Sequence, residues 1–350
     1  MSQSPLFQPP WNFLGLPSEM ADAARAQAWV LPIPYESTTS YGAGTRNGPA
    51  AIIAASRALE RFDREFDCEP CARLGIHTLP PLAPIRRSPE AMVQAIEEAV
   101  AAVLGGSPAP SVLAVLGGEH TISAGEVRAL ARVIPANELV AVQIDAHADL
   151  RDCYEESPYS HGCAARRILE VCPLFQVGIR SLSTEEERFR RGSDRLRTVF
   201  AEELHGGEKM GTGSEPVRDN SAKTAFGEVP VPILSQTHRQ GRPWLDELAE
   251  FVRGKHVFLT IDLDGLDPSI MPAVGTPEPG GLSWAEVLDV VRVVCRHCRR
   301  LPLFDVVELA PIAAMPAPDF LAAKLVYKII AMALVGEGRG SQNELGSAEQ

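Results

Sequence analysis

Leu139-Val140-Ala141-Val142-Gln143-Ile144-Asp145-Ala146-His147-Ala148-Asp149 is the stretch from which the fold is read. Leu139 to Ile144 is a run of mainly apolar, partly β-branched residues, the pattern of a buried strand. Three groups able to bind a metal follow at alternate positions. In extended chain, residues i, i+2 and i+4 point to one side, so Asp145, His147 and Asp149 can converge where the strand runs out. A second apolar run, His256 to Ile261, ends in Asp262-Leu263-Asp264, with two carboxylates at i and i+2. Two such clusters, each at the end of a buried strand, point to one shared metal site.

The same arrangement recurs outward from these two strands. Val112 to Leu116 reads as a strand and runs into Gly117-Gly118-Glu119-His120-Thr121, after which the chain is helical. This glycine turn lacks the G-x-G-x-x-G spacing of a nucleotide site and sets an acid where a phosphate would lie. Its glycines instead let the backbone turn tightly, so that His120 reaches out from the strand end. Leu303 to Val307 is the last clear strand and ends in Glu308-Leu309-Ala310-Pro311. Further strands are expected at Ala28 to Ile33, at 76–79 and at Phe175 to Ile179. Helices are expected from Pro49 to about Leu59, from Pro89 to Leu104 with Ser88 as N-cap, from Ile122 onward, and up to Glu170. Others follow Thr184 (read as a cap), span Trp244 to Val252 and Trp284 to His297 (capped by Ser283), and run from Asp319 to Leu334.

Strands alternating with helices call for an α/β fold, a single three-layer α/β/α domain around a mainly parallel sheet. In such sheets ligands lie outside the carboxyl ends of the strands, and every candidate ligand falls at such an end. The expected division is an N-terminal segment over 1–26, one domain over 27–335, and a disordered polar tail over 336–350. Residues 203–230 are rich in Gly, Ser, Glu and Lys and read as an inserted, partly mobile segment. The loop Pro34 to Pro49 is long for a strand-to-helix connection, which marks it as functional.

Composition narrows the class. A chain of 350 residues, 45% hydrophobic and 22% charged, is ordinary globular protein with a substantial core. A formal charge of −12 argues against a nucleic-acid partner and suits a small cationic one. Residues 1–20 contain no basic residue and no apolar stretch of signal-peptide length, and the apolar segment 320–336 carries Lys324 and Lys328. A cytoplasmic protein without a membrane span is therefore expected. Cys68-Glu69-Pro70-Cys71 and Cys295-Arg296-His297-Cys298 have the ligand number of a zinc site. They lie far apart, however, and the second falls within a helix, so ordinary buried or loop thiols are expected.

Four aspartates and two histidines at strand ends would repel or stay protonated without cations. Oxygen-rich ligation with imidazole favours manganese over zinc or copper. Two divalent ions bridged by carboxylates lower the pKa of a water between them, which predicts metal-assisted hydrolysis.

Taken in order, Gly117-Gly118-Glu119-His120, Asp145-Ala146-His147-Ala148-Asp149, Ser160-His161-Gly162, Asp262-Leu263-Asp264-Gly265-Leu266-Asp267-Pro268 and Gly275-Thr276-Pro277 with Gly280-Gly281 resemble the ureohydrolase (arginase/agmatinase) family. The resemblance covers roughly residues 28–334. It implies an arginase-like fold with two Mn2+ per chain, assembled as a homo-oligomer, a trimer or hexamer. His120, Asp145, Asp149 and Asp264 match the ligands of one ion, and Asp145, His147, Asp262 and Asp264 those of the other. Glu308 matches the carboxylate that holds the guanidinium, and His161 the proton shuttle to the leaving amine.

Substrate choice follows from finer features. The loop 34–49 and Val306-Val307-Glu308-Leu309-Ala310-Pro311 resemble the agmatinase branch. Arginases carry an asparagine two residues before the shuttle histidine to hold the α-carboxylate, and Tyr159 stands there instead. The expected reaction is hydrolysis of agmatine to putrescine and urea. Alternatives are another guanidino substrate (N1-aminopropylagmatine, guanidinobutyrate, guanidine or arginine) and, more remotely, a non-catalytic metal-binding scaffold.

Overall fold

A computed structural model describes residues 10–204 and 242–335. The expected tail, all but the first two residues of the expected insertion, and the first nine residues of the N-terminal segment lie outside the described residues. Eight strands are described: β1 (Ala28–Ile33), β2 (Ile76–Thr78), β3 (Val112–Gly117), β4 (Leu139–Ile144), β5 (Leu174–Ile179), β6 (Leu196–Phe200), β7 (His256–Asp262) and β8 (Arg300–Val307). They form one sheet in the order β2-β1-β3-β8-β7-β4-β5-β6, and every pairing is parallel.

Alternation along the strands builds two cores. Ala114, Leu116, Val140, Val142, Leu259 and Ile261 face one way, onto helices Gly48–Ser56, Pro243–Val252, Trp284–His297 and Ala317–Leu334. Leu113, Val115, Leu139, Ala141, Phe258 and Leu303 face the other, onto helices Pro89–Leu104, Ser123–Val133 and Ala164–Val171. This is the expected three-layer sandwich, and both faces are covered, as a parallel sheet requires.

Most expected elements form within a residue or two of their bounds. Ser88 caps its helix by accepting the Ala91 N–H at 3.2 Å. The expected cap at Thr184 is corrected by one residue. Ser183 is the N-cap, bonded to Glu186 N–H while Glu186 returns to the Ser183 N–H; Glu187, three residues after Thr184, pairs instead with Arg190 and Arg191. Neither CxxC pair joins a candidate metal group among the described residues; Cys71 is instead buried beneath helix Ala317–Leu334, donating its N–H to Tyr327 Oη. No described helix is long and apolar enough to cross a membrane.

Order in the sheet decides where the site lies. β3 and β4 are consecutive in sequence but separated in space by β8 and β7. The four central strands therefore bring four distant segments side by side, and the crevice opens where the strand order reverses. Register finishes the alignment: Ile144 pairs with Ile261 and Asp262 with Val307, so Asp145, Asp262 and Glu308 leave the sheet at nearly one level.

Candidate active site

All six expected ligands meet at the carboxyl ends of β3, β4 and β7. His120, Asp145 and Asp149 form one group able to hold an ion, and Asp145, His147 and Asp264 another, with Asp145 common to both. His120 Nδ1 lies 3.2 Å from Asp145 Oδ2, 3.2 Å from Asp149 Oδ2 and 3.4 Å from Asp262 Oδ2. Asp262, rather than the expected Asp264, is thus the carboxylate beside His120. Asp264 Oδ2 sits 2.8 Å from His147 Nδ1 because residue 263 begins a 3-10 turn that swings the next side chain toward β4.

His120 Nδ1 tests whether cations fit. It is buried and has no hydrogen-bond partner among the described residues, although three carboxylates face it. A bare imidazole nitrogen ringed by oxygens is the donor set a divalent ion takes, and sharing of Asp145 provides for two. The acids themselves are strained by one another. Burial, then the charges of Asp149 and Asp264, push Asp145 up to about 7. Burial and then Asp264 and Asp145 push Asp262 well above the carboxylate range. Burial works against the charged form of His147, but its bond to Asp264 outweighs this and lifts it to about 10.

Backbone and neighbours hold the cluster in place. Asp149 (φ 51°) and Glu308 (φ 66°) both adopt left-handed backbone, a conformation that costs about 1–3 kcal/mol and persists where surroundings dictate it. Gly118 cannot be replaced cheaply, since a Cβ there would collide with the Tyr35 carbonyl. A ladder of amides crosses three strands: Thr198 Oγ1 donates to Gln176 Oε1 at 3.0 Å, Gln176 Nε2 to Gln143 Oε1 at 2.9 Å, and Gln143 Nε2 to Asp145 Oδ2 at 2.6 Å. Arg180 clamps the turn after β7, donating from Nη2 to the carbonyls of Asp264 and Glu278, each at 2.7 Å.

A cleft of about 250 Å3 opens above the cluster, lined by His147, Asp149, Asp262, Asp264, His161 and Glu308 among others. Glu308 Oε1 accepts the His120 N–H at 2.7 Å. Burial first, and Glu119's charge second, push its carboxyl well above the usual range. His161 is held by the 34–49 loop: its N–H donates to Thr38 Oγ1 at 2.9 Å, and its Nδ1 and Nε2 lie 3.3 Å from Thr38 Oγ1 and Ser40 Oγ. Glu119 anchors that loop by accepting the N–H groups of Ser37 and Thr38, each at 2.7 Å, and the Thr38 hydroxyl at 2.8 Å. Tyr159 turns away from the cleft, its hydroxyl accepting from Arg128 at 2.9 Å beneath the same guanidinium.

Thr38, Glu119, Gln143, Gln176, Arg180 and Thr198 were not foreseen. For Gln143 and Gln176 a signal existed, a polar side chain inside an otherwise apolar strand. The others act across long sequence distances and leave no local spacing.

The Arginase family model matches residues 26–215 and 217–332. An N(1)-aminopropylagmatine ureohydrolase of Synechocystis sp. is 36% identical over 313 residues, covering 88% of this chain and 89% of its own. An agmatinase of Pyrococcus horikoshii is 29% identical over 314 residues, covering 89% and 93%. Among solved structures, the agmatine ureohydrolase of Thermoplasma volcanium superposes with a TM-score of 0.72 at 25% identity, over 95% of this chain and 97% of that one.

Proposed function

Because this chain belongs to the arginase family, it is a ureohydrolase that acts on guanidino compounds, and we propose that its substrate is N1-aminopropylagmatine, cleaved to spermidine and urea. The observation that carries this is the 36% identity, across nearly the whole chain, to an N(1)-aminopropylagmatine ureohydrolase, against 29% to an agmatinase. It supports moving the N-extended substrate ahead of agmatine, the first expectation from sequence. Agmatine stays as the second reading, favoured by the structural likeness to an agmatine ureohydrolase. Tyr159, turned toward Arg128 and away from the cleft, supplies no amide to hold the α-carboxylate of arginine.

The residues act as follows. His120, Asp145, Asp149, Asp262, Asp264 and His147 hold two divalent cations, which we take to be Mn2+ from the oxygen-rich donor set. When bound, such a pair supplies hydroxide from water at neutral pH. Glu308 spends Oε1 on the His120 N–H, which leaves Oε2 to grip the planar guanidinium. His161, steadied by Thr38 and Ser40 at the cleft wall, delivers a proton to the departing amine nitrogen. In sum one water is consumed, the bond from the guanidino carbon to the alkyl nitrogen breaks, and urea leaves beside a protonated amine. We take the enzyme to work as one domain over 27–335 and as a homo-oligomer.

Urea release by the Mn2+-loaded protein, measured on N1-aminopropylagmatine, agmatine, guanidinobutyrate and arginine, tests the substrate. The expected order puts N1-aminopropylagmatine first in kcat/KM. Agmatine turned over as well or better would overturn that choice, and no urea from any of the four would overturn the activity.

A further inference from the structure

Behind the metal cluster, away from the cleft, a closed chain of polar groups runs through the core. His120 Nε2 lies 2.9 Å from Thr260 Oγ1, which lies 3.4 Å from Ser123 Oγ. Ser123 Oγ donates to Asp305 Oδ2 at 2.6 Å, and Asp305 Oδ1 accepts the Ile261 N–H at 3.2 Å. Thr260, Ser123 and Asp305 have no exposed surface, and His120 has almost none. The three partners come from different elements: Thr260 from β7, its register partner Asp305 from β8, and Ser123 from the start of helix Ser123–Val133.

We propose that Asp305, acting through Ser123 and Thr260, fixes the tautomer of His120 so that Nδ1 is bare and ready to bind a cation. The proposal rests on the two-cation reading above and names positioning residues within it. Its logic is the count of protons. The short bond to Asp305 uses the only proton Ser123 has, so Ser123 Oγ can only accept from Thr260. Thr260 has then spent its own proton, so its oxygen accepts from the ring, and Nε2 carries the hydrogen. The lone pair is left on Nδ1, the atom that faces Asp145, Asp149 and Asp262 and has no other partner among the described residues. Were the chain reversed, with Thr260 donating to Nε2, the hydrogen would lie on Nδ1 and block it. Glu126, buried one turn beyond Ser123, faces the same end of the chain: burial first, and Asp305 second, push its carboxyl well above the usual range. A metal-bound histidine oriented by a carboxylate is a common device; here two hydroxyls span the gap.

Full-length wild type, Ser123→Ala, Thr260→Val and Thr260→Ser are titrated with Co2+, whose visible absorption reports each ion bound, and the ion-free proteins are melted in parallel. Ser123→Ala and Thr260→Val should bind one of the two ions about 10–100-fold more weakly. Thr260→Ser, which keeps the hydroxyl, should stay close to wild type in both affinity and melting point, whereas Ser123→Ala, which takes a donor from buried Asp305, should also melt lower. Wild-type affinity in Ser123→Ala, or a Thr260→Ser protein as weak as Thr260→Val, would overturn the proposal. If Ser123→Ala does not fold, the contrast between the two Thr260 variants decides it. Wild type that binds no Co2+ would instead overturn the two-cation reading, a different failure seen in a different arm.

Discussion

On the proposed reading Glu308 does two jobs with one carboxylate, and they can be separated. The Oε1 atom fixes the turn that carries His120, while Oε2 is free to meet the substrate. In Glu308→Gln the side-chain oxygen still accepts the His120 N–H, but the charge that pairs with guanidinium is gone. We expect metal content unchanged and kcat/KM lowered roughly 100-fold or more, the worth of a desolvated charge pair, read by metal analysis and urea release together. His161→Ala removes the proposed proton donor and leaves the cluster intact, so kcat should fall roughly 100-fold or more with KM and metal content near wild type. That the candidate ligands, Glu308 and His161 meet in one cleft was legible in the sequence, because each closes a strand or follows a motif whose spacing is local. Thr38 and Glu119 were not, because their value lies in reaching His161 and the loop over more than eighty positions.

Between elements, the amide ladder is the feature with most to test. Gln143, at 2.6 Å from Asp145, is the end of a rung sequence running in from β6 through β5. Gln143→Leu keeps the volume, leaves Gln176 Nε2 its bond to the Ala148 carbonyl, and removes the donor that orients Asp145. Since Asp145 belongs to both candidate groups, we expect both ions to bind about 10–100-fold more weakly, measured by calorimetric titration. The ladder's far strand, β6, was not anticipated, and the reason is physical. It is an edge strand with partly exposed Leu196, Arg197 and Phe200, so it lacks the apolar run that betrayed the central strands. The central strands were legible to within a few residues, because burial on both faces leaves a nearly continuous hydrophobic stretch.

Across the whole molecule, a partly buried ion network ties the segment after helix Gly48–Ser56 to the helices behind the sheet. Lys328 Nζ lies 2.9 Å from both Asp63 and Glu65, and Arg292 Nε lies 2.9 Å from Glu65. Partial burial alone would raise the Glu65 carboxyl, but Arg292 and Lys328 overcome this and hold it down at about 2. A folded-state value below the ordinary one contributes stability that is complete above the unfolded value near 4.5 and is lost as pH falls toward 2. Discounted for solvent screening, the contribution is about 1 kcal/mol. Glu65→Gln should therefore be less stable than wild type at pH 7, with the gap closing between pH 4.5 and pH 2, as denaturant unfolding at several pH values would reveal. None of this was legible from the chain, since Glu65 and Lys328 meet only through packing.

The strand order has a last consequence, for the birth of the protein. His120 and Asp145 emerge from the ribosome early, yet Asp262 and Asp264 come much later, and Glu308 and the intervening strand β8 later still. A chain halted before β8 already holds all six candidate ligands, but it lacks the strand that joins β3 to β7, so nothing seats His120 beside Asp145 and Asp262. The two halves of the candidate cluster thus wait for β8 before they can meet.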